Sequence, residues 1–247
     1  MKISKILIII CSIIFSACGD ESLREMFTPG AYKATKVPSS ERNKQMISRI
    51  EANIAKYTKQ RERGRNRSYA LSRAYLSLGE RYLDIGDFQS AINSLESAVK
   101  FDPDYVYIYY LLGVANANLG RETNSQTLYQ NAERFYKKAV EIKPTYYDAW
   151  YGLAILLFYA INTDLSKLEA ITILQKLTRQ HPKHYRSRFA LALFYYETHN
   201  AAASLSEYES LLKDLSQLRS NSMINEYKER CRENIAILMS EIARNRR

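Results

Sequence analysis

From Ser72 to about residue 216, the apolar positions of this 247-residue chain follow one arrangement that returns several times. A Leu followed by a small residue stands at Leu78-Gly79, Leu112-Gly113, Leu153-Ala154 and Leu191-Ala192, at spacings of 34, 41 and 38. Three residues before the Leu there is an aromatic ring at Tyr75, Tyr109 and Trp150, and Arg188 takes that place in the fourth copy. The first three copies close on Pro103, Pro144 and Pro182, at spacings of 41 and 38. The two series agree on a basic period of 34 if about seven extra residues lie in the second unit and about four in the third, between the two helices of each. Self-similarity at a fixed period of this length predicts a repeat array, not a single-domain fold.

Two further helical patterns flank the array. Met46, Ile47, Ile50, Ile54 and Tyr57 recur at helical spacing, Pro38-Ser39-Ser40 offers a start with Ser as capping acceptor, and Gly64 breaks the pattern. This predicts a basic amphipathic helix over 41–67. Ile224, Tyr227, Cys231, Ile235, Leu238 and Ile242 form a second stripe behind Asn221 and Ser222, which predicts a capping helix and basic tail over 221–247. Terminal units of a repeat array expose an apolar face, and a cap of this kind covers it.

The repeated unit resembles the tetratricopeptide repeat. The first copy carries Tyr75, Leu78, Gly79 and Tyr82, then Gly86-Asp87-Phe88, then Ala91, Leu95, Ala98 and Pro103. The second has Tyr109, Leu112, Gly113, Ala132, Tyr136, Ala139 and Pro144; the third Trp150, Leu153, Ala154, Leu157, Ala170, Leu174, Leu177 and Pro182. The fourth departs from the pattern, with Ser204 in place of Ala and no closing Pro. The resemblance implies an all-α solenoid of about four helix–turn–helix repeats over 72–216, with flanking helices at both ends. It also implies a concave surface lined by the first helix of each pair. On those helices a second stripe recurs at spacing three–four–three, and its partner-binding candidates are Tyr107, Tyr110, Val114, Tyr151, Ile155, Phe158, Phe189, Leu193 and Tyr196. A mostly apolar, aromatic groove suits an amphipathic helix or an extended apolar segment of another protein. Alternatively, the chain's own residues 22–37 fill it, or it collapses as additional core. With only Arg73 and Arg186 as cations, the carboxylate clamp used by some members of the family is not expected.

Composition supports the helical reading. Gly 8 and Pro 5 are too few for the turns of an all-β fold, and 46% hydrophobic content excludes a disordered chain or a polytopic membrane protein. Residues 1–17 read as a signal peptide: Lys2 and Lys5, an apolar run from Ile6 to Phe15, then Ser16 and Ala17. Phe15-Ser16-Ala17-Cys18-Gly19 resembles a bacterial lipobox, which implies lipidation of Cys18 and a lipid-anchored tether over 18–40. The formal charge is +10, or +8 once Lys2 and Lys5 are removed with the leader. All of that excess lies between Lys33 and Arg67, where eleven cations face Glu41, Glu51 and Glu62. Such a segment fits an anionic membrane surface, or it caps the first repeat and leaves its charges in water, and the two roles are compatible.

Catalytic chemistry finds little support. His181 and His184 flank Pro182, without the Cys or carboxylate company a metal site needs, and the chain has no phosphate-cradling Gly-rich loop and no Gly-x-Ser-x-Gly elbow. Asp84, Asp87, Asp102 and Asp104 sit at turns, where local backbone bonding explains them. Cys231 reads as a small core hydrophobe, and no disulfide is expected. The expected protein is a non-enzymatic, membrane-anchored adaptor of the bacterial cell envelope, periplasmic or surface-facing. It has no cofactor beyond the covalent lipid, binds another protein and binds no nucleic acid. The alternative is a surface lipoprotein that binds a host molecule.

Overall fold

The computed structural model describes residues 40–59 and 65–245. The expected leader, the expected lipidation site Cys18, the tether up to residue 39, Arg61, Arg63 and the last two arginines lie outside the described residues. Among the described residues ten α-helices follow one another without a strand: α1 Ser40–Lys59, α2 Arg65–Asp84, α3 Phe88–Phe101, α4 Val106–Thr123, α5 Gln126–Ile142, α6 Tyr147–Leu156, α7 Asp164–Gln180, α8 Tyr185–Glu197, α9 Ala201–Ser216 and α10 Ser222–Asn245. A five-residue π segment, Leu157–Ile161, continues α6. The helices from α2 to α9 pair into four hairpins stacked in chain order. Packing runs chiefly between consecutive helices, and α2, α4 and α6 also touch in turn.

Each hairpin reverses through one residue in the left-handed region: Gly86 (φ 78°), Asn124 (φ 50°), Asn162 (φ 54°) and His199 (φ 61°). This conformation ends a helix by letting the following amides reach back to its last carbonyls. Asp87 N–H donates to the Tyr82 carbonyl at 2.9 Å and Asn200 N–H to the Tyr195 carbonyl at 2.8 Å, so the first and fourth turns are built alike. The next helix then starts on the side chain of the same residue, Asp87 accepting from Ser90 N–H and Asn200 from Ala203 N–H. At the other ends, Pro103, Pro144 and Pro182 each stand two residues past the last helical residue, where they stop the ladder.

The extra residues of the second unit form no loop. α4 and α5 are 18 and 17 residues long, and only Asn124 and Ser125 connect them. Seven residues are about two helical turns, one for each arm of the hairpin, so the pair lengthens without changing which faces meet. In the third unit the surplus enters the π segment and a 17-residue α7. The extra residues therefore do not lie between the two helices, as the two series implied; they lengthen the helices on either side of the turn, where helix growth supplies their backbone hydrogen bonds.

The small positions permit close approach. A Cβ on Gly113 would lie 2.6 Å from the Tyr136 ring and one on Gly152 2.8 Å from the same ring, which threads between α4 and α6. One buried cluster extends from Leu76 to Phe194, and a second joins Phe189 and Ala192 to Tyr208, Leu211 and Leu215 of α9 and to Ile224, Tyr227, Cys231 and Leu238 of α10. α10 thus covers the end of the stack, with Asn221 accepting from Ile224 N–H at 2.9 Å as its cap. Cys231 is buried and free, and burial pushes its thiol pKa up to about 12.

At the other end, Ile47, Ile50, Ile54 and Tyr57 of α1 pack against Leu71, Ala74, Tyr75, Leu78 and Tyr82 of α2. α1 ends at Lys59, short of the expected Arg67, and α2 begins at Arg65, seven residues before the repeat frame. The segment is therefore two helices with residues 60–64 between them. Arg67 belongs to the second and donates from Nη2 to the Thr58 carbonyl at 2.7 Å, satisfying a C-terminal carbonyl of α1.

Candidate functional site

The nine stripe residues do not share one environment. Val114, Tyr151, Ile155, Phe158 and Phe189 are buried, whereas Tyr107, Tyr110, Leu193 and Tyr196 are half-buried. Phe158 stacks on Phe194 of α8 with centroids 3.8 Å apart, and Phe189 meets the edges of Tyr208 and Tyr227 at 5.3 and 5.7 Å. Tyr196 donates its hydroxyl to Glu241 of α10 at 2.9 Å. In the third and fourth repeats the stripe is therefore largely interhelical packing, the collapse that the sequence allowed as one alternative.

What remains is an aromatic run along the first helices with an arginine near each end. Arg73 donates to the Tyr105 hydroxyl at 3.1 Å and lies 5.6 Å over its ring. Tyr105 meets Tyr107 at 6.3 Å, Tyr107 stacks near Tyr110 at 6.2 Å, and Tyr110 meets Tyr146 edge-on at 5.5 Å. Beyond them the Arg186 guanidinium sits 4.7 Å over the Tyr151 ring and 3.9 Å from Asp148. His184 lies 3.7 Å from the same carboxylate and pairs through Nδ1 with the Ser187 hydroxyl. His184 first, and Arg186 with it, hold the Asp148 carboxyl below its ordinary pKa against the opposing effect of burial. Burial raises the Tyr146 and Tyr151 phenols, so these rings stay neutral at any physiological pH.

Tyr105 and Tyr146 were not among the sequence candidates, although a signal existed. Together with His184 they stand two residues after each closing Pro, at the N-caps of α4, α6 and α8, and none makes a side-chain cap bond. A ring recurring at a capping position without capping points to a role on the surface. His181 stacks on Tyr147 with centroids 3.6 Å apart within the third repeat, whereas His184, at the start of the fourth, reaches back to Asp148 of the third. Among the described residues no cluster of His, Cys, Asp and Glu has the arrangement of a metal site, and no helix is long and apolar enough to cross a membrane.

Comparison with known proteins supplies the family of the unit. Models described as TPR repeat and tetratricopeptide repeat match residues 79–120, 106–146 and 168–218. The chain carries tetratricopeptide repeats. Solved TPR proteins share the architecture. The thermophilic TPR protein TTC0263 of Thermus thermophilus superposes with a TM-score of 0.58 at 15% identity, covering 82% of this chain and 95% of that one. MamA gives 0.55 at 22% identity, covering 72% and 94%. YrrB, described as a TPR protein with an unusual peptide-binding site, gives 0.51 at 16%, covering 81% and 94%. At these identities the likeness concerns the fold. The Drosophila melanogaster protein O-mannosyl-transferase Tmtc3 is 32% identical over 79 residues, which are 32% of this chain and 8% of that protein.

As a TPR array the chain is a protein-interaction scaffold in its architecture, and its fourth repeat shows how far the signature can vary. Trp150 donates from Nε1 to the Pro144 carbonyl at 2.9 Å, and Arg188 donates to the equivalent Pro182 carbonyl at 3.4 Å. Arg188 also pairs with Asp214 and donates to the Ser210 hydroxyl of α9 at 2.9 Å. Ser204, in the Ala position, is buried and donates to the Ala192 carbonyl at 2.8 Å. Both departures from the pattern keep the helix pair joined by polar contacts.

Proposed function

We propose that this protein is a bacterial lipoprotein that holds another protein at the cell envelope through its TPR array and performs no chemistry of its own. Lipid on Cys18 confines it to the membrane, and a lipidated end beside a basic segment meets the two-signal requirement for stable anchoring. The partner contacts the face of α4, α6 and α8 that carries Tyr107, Tyr110, Tyr146 and Arg186. The observation that supports this is the run of half-buried tyrosines flanked by arginines. Tyr and Arg are the residue types enriched where proteins bind one another, because each joins a broad planar surface to a polar tip. A short extended or helical segment bearing apolar groups and a carboxylate complements it. Membrane tethering raises the effective concentration of such a partner without any new contact.

The test is crosslinking in the native membrane followed by partner identification, repeated with Tyr107→Ala/Tyr110→Ala. These rings are half-buried, so the variant remains folded and loses the partner at least tenfold; undiminished capture would overturn the site. Cys18→Ala releases the protein into the soluble fraction after a high-salt wash, and retention would overturn the anchor. Protease treatment of intact cells separates the periplasmic adaptor, which survives, from a surface lipoprotein that meets a host molecule, which is digested.

A further inference from the structure

One charged surface takes no part in the repeats. α1 packs its apolar stripe on α2, and its outer flank carries Arg42, Arg49 and Lys56 at seven-residue steps, followed by Lys59. Residues seven apart lie two turns apart on the same side, so Arg42, Arg49 and Lys56 form one row along about 21 Å of helix, and Lys59 extends it by one turn on its outward side. All four are exposed, and Gln45 and Ala52 fill the row between them. Glu51 lies on the other side, where it accepts the Tyr82 hydroxyl at 3.3 Å, which leaves Glu41 in the first turn as the carboxylate nearest the row. Several surface cations elsewhere sit beside carboxylates one turn away, as in Arg81–Asp84, Lys137–Glu133 and Lys138–Glu141. Among the described residues none of the four on α1 makes an ion pair.

We propose that this row docks on anionic lipid headgroups and stands the stack of repeats on its α1 end. The proposal deepens the tethering reading above by assigning the membrane-facing surface and the orientation it imposes. A straight row of unpaired cations fits a plane of negative charge, and it begins 24 residues after Cys18. The row offers no aromatic ring on which a nucleobase would stack, which disfavours a nucleic acid. α1 packs on α2 at one end of the series, and α10 closes the other. A membrane against the outer flank of α1 therefore leaves the hairpins rising away from it, with α10 farthest out.

The experiment uses the full chain with Cys11 and Cys18 replaced by Ser, so that it carries no lipid, and vesicles of phosphatidylcholine with or without phosphatidylglycerol. Wild-type residues at the row give binding that requires phosphatidylglycerol and is abolished by salt. Arg42→Gln/Arg49→Gln/Lys56→Gln/Lys59→Gln, folded by circular dichroism, weakens it about 600-fold, from roughly fivefold for each of the four cations near the headgroups. Equal binding to both vesicles, or a variant that binds as the parent does, would overturn the row. So would a duplex DNA fragment that binds more tightly than the anionic vesicles. For orientation, a fluorophore on Ala52→Cys is quenched by headgroup-labelled lipid and one on Met239→Cys is not; equal or reversed quenching would overturn the end-on stance. Buried Cys231 stays unlabelled under these conditions. Because the protein carries no lipid, failure here leaves the Cys18 anchor standing, and failure of the Cys18→Ala release leaves the row standing.

Discussion

The first and fourth hairpins share one frame and fill it with different chemistry. In the first, Tyr75 stacks flat on Phe101 at 5.9 Å, Ala91 is fully buried and Gly86 makes the turn. In the fourth those places belong to Arg188, Ser204 and His199, yet the helices meet in the same way and the turn has the same left-handed residue. The difference teaches that the repeat specifies positions, namely a side chain three residues before the Leu that anchors the first helix, by stacking in the first hairpin and by hydrogen bonding in the fourth, a small group where the helices cross and one left-handed residue. Polar residues can supply all three, provided that each buried polar atom finds a partner.

The sharpest way to break this comparison is to remove a partner from the fourth hairpin alone. Arg188 is 6% exposed, so Asp214→Ala leaves a buried guanidinium without its counter-charge and costs about 3 kcal/mol by denaturant titration. Tyr75→Phe, the corresponding polar deletion in the first hairpin, costs little by the same measurement. The turns come next. His199→Gly relieves a side chain held at φ 61° and stabilises by about 1 kcal/mol, whereas Gly86→Ala, at φ 78°, costs about as much. A shift of both midpoints in the same direction would show that the two turns are not equivalent. Tyr136→Phe removes a buried hydroxyl that has no hydrogen-bond partner, so it raises the thermal midpoint by the equivalent of about 1 kcal/mol or leaves it unchanged.

The smallest effect is on pH. Asp148 has a lowered pKa in the folded state, so its contribution is fully present above its unfolded value of 3.8 and is lost as pH falls through the lower folded value. With its side chain 47% exposed, that contribution stays below about 1 kcal/mol. Asp148→Asn therefore destabilises slightly at neutral pH and has no effect near pH 2, as acid denaturation midpoints would report.

The repeat frame was legible because it is written in residue types that have few alternatives: a small group beside Leu and, in the first three units, an aromatic ring three residues earlier and a Pro past the second helix. The fate of the inner stripe was not. Periodicity says that Ile155, Phe158 and Phe189 share a face with Tyr107, but not that Phe194 and Tyr227 come from later helices to cover them. The charged segment also read as one helix. Its apolar stripe ends at Tyr57 and Gly64 interrupts the pattern, but the run of cations carries on past both to Arg67, which belongs to α2 and donates to the Thr58 carbonyl of α1.

Helix α8 has a part in both halves of the interior. Ala190, Leu191 and Phe194 belong to the larger buried cluster, and Phe189 and Ala192 to the smaller one beneath α10. Heat or mechanical pull on the C-terminus therefore has a natural first stopping place: α9 and α10 can peel off as one block while the earlier hairpins keep their interior. The detached state would bare one side of α8, and with it a sticky strip that chaperones and proteases read as damage.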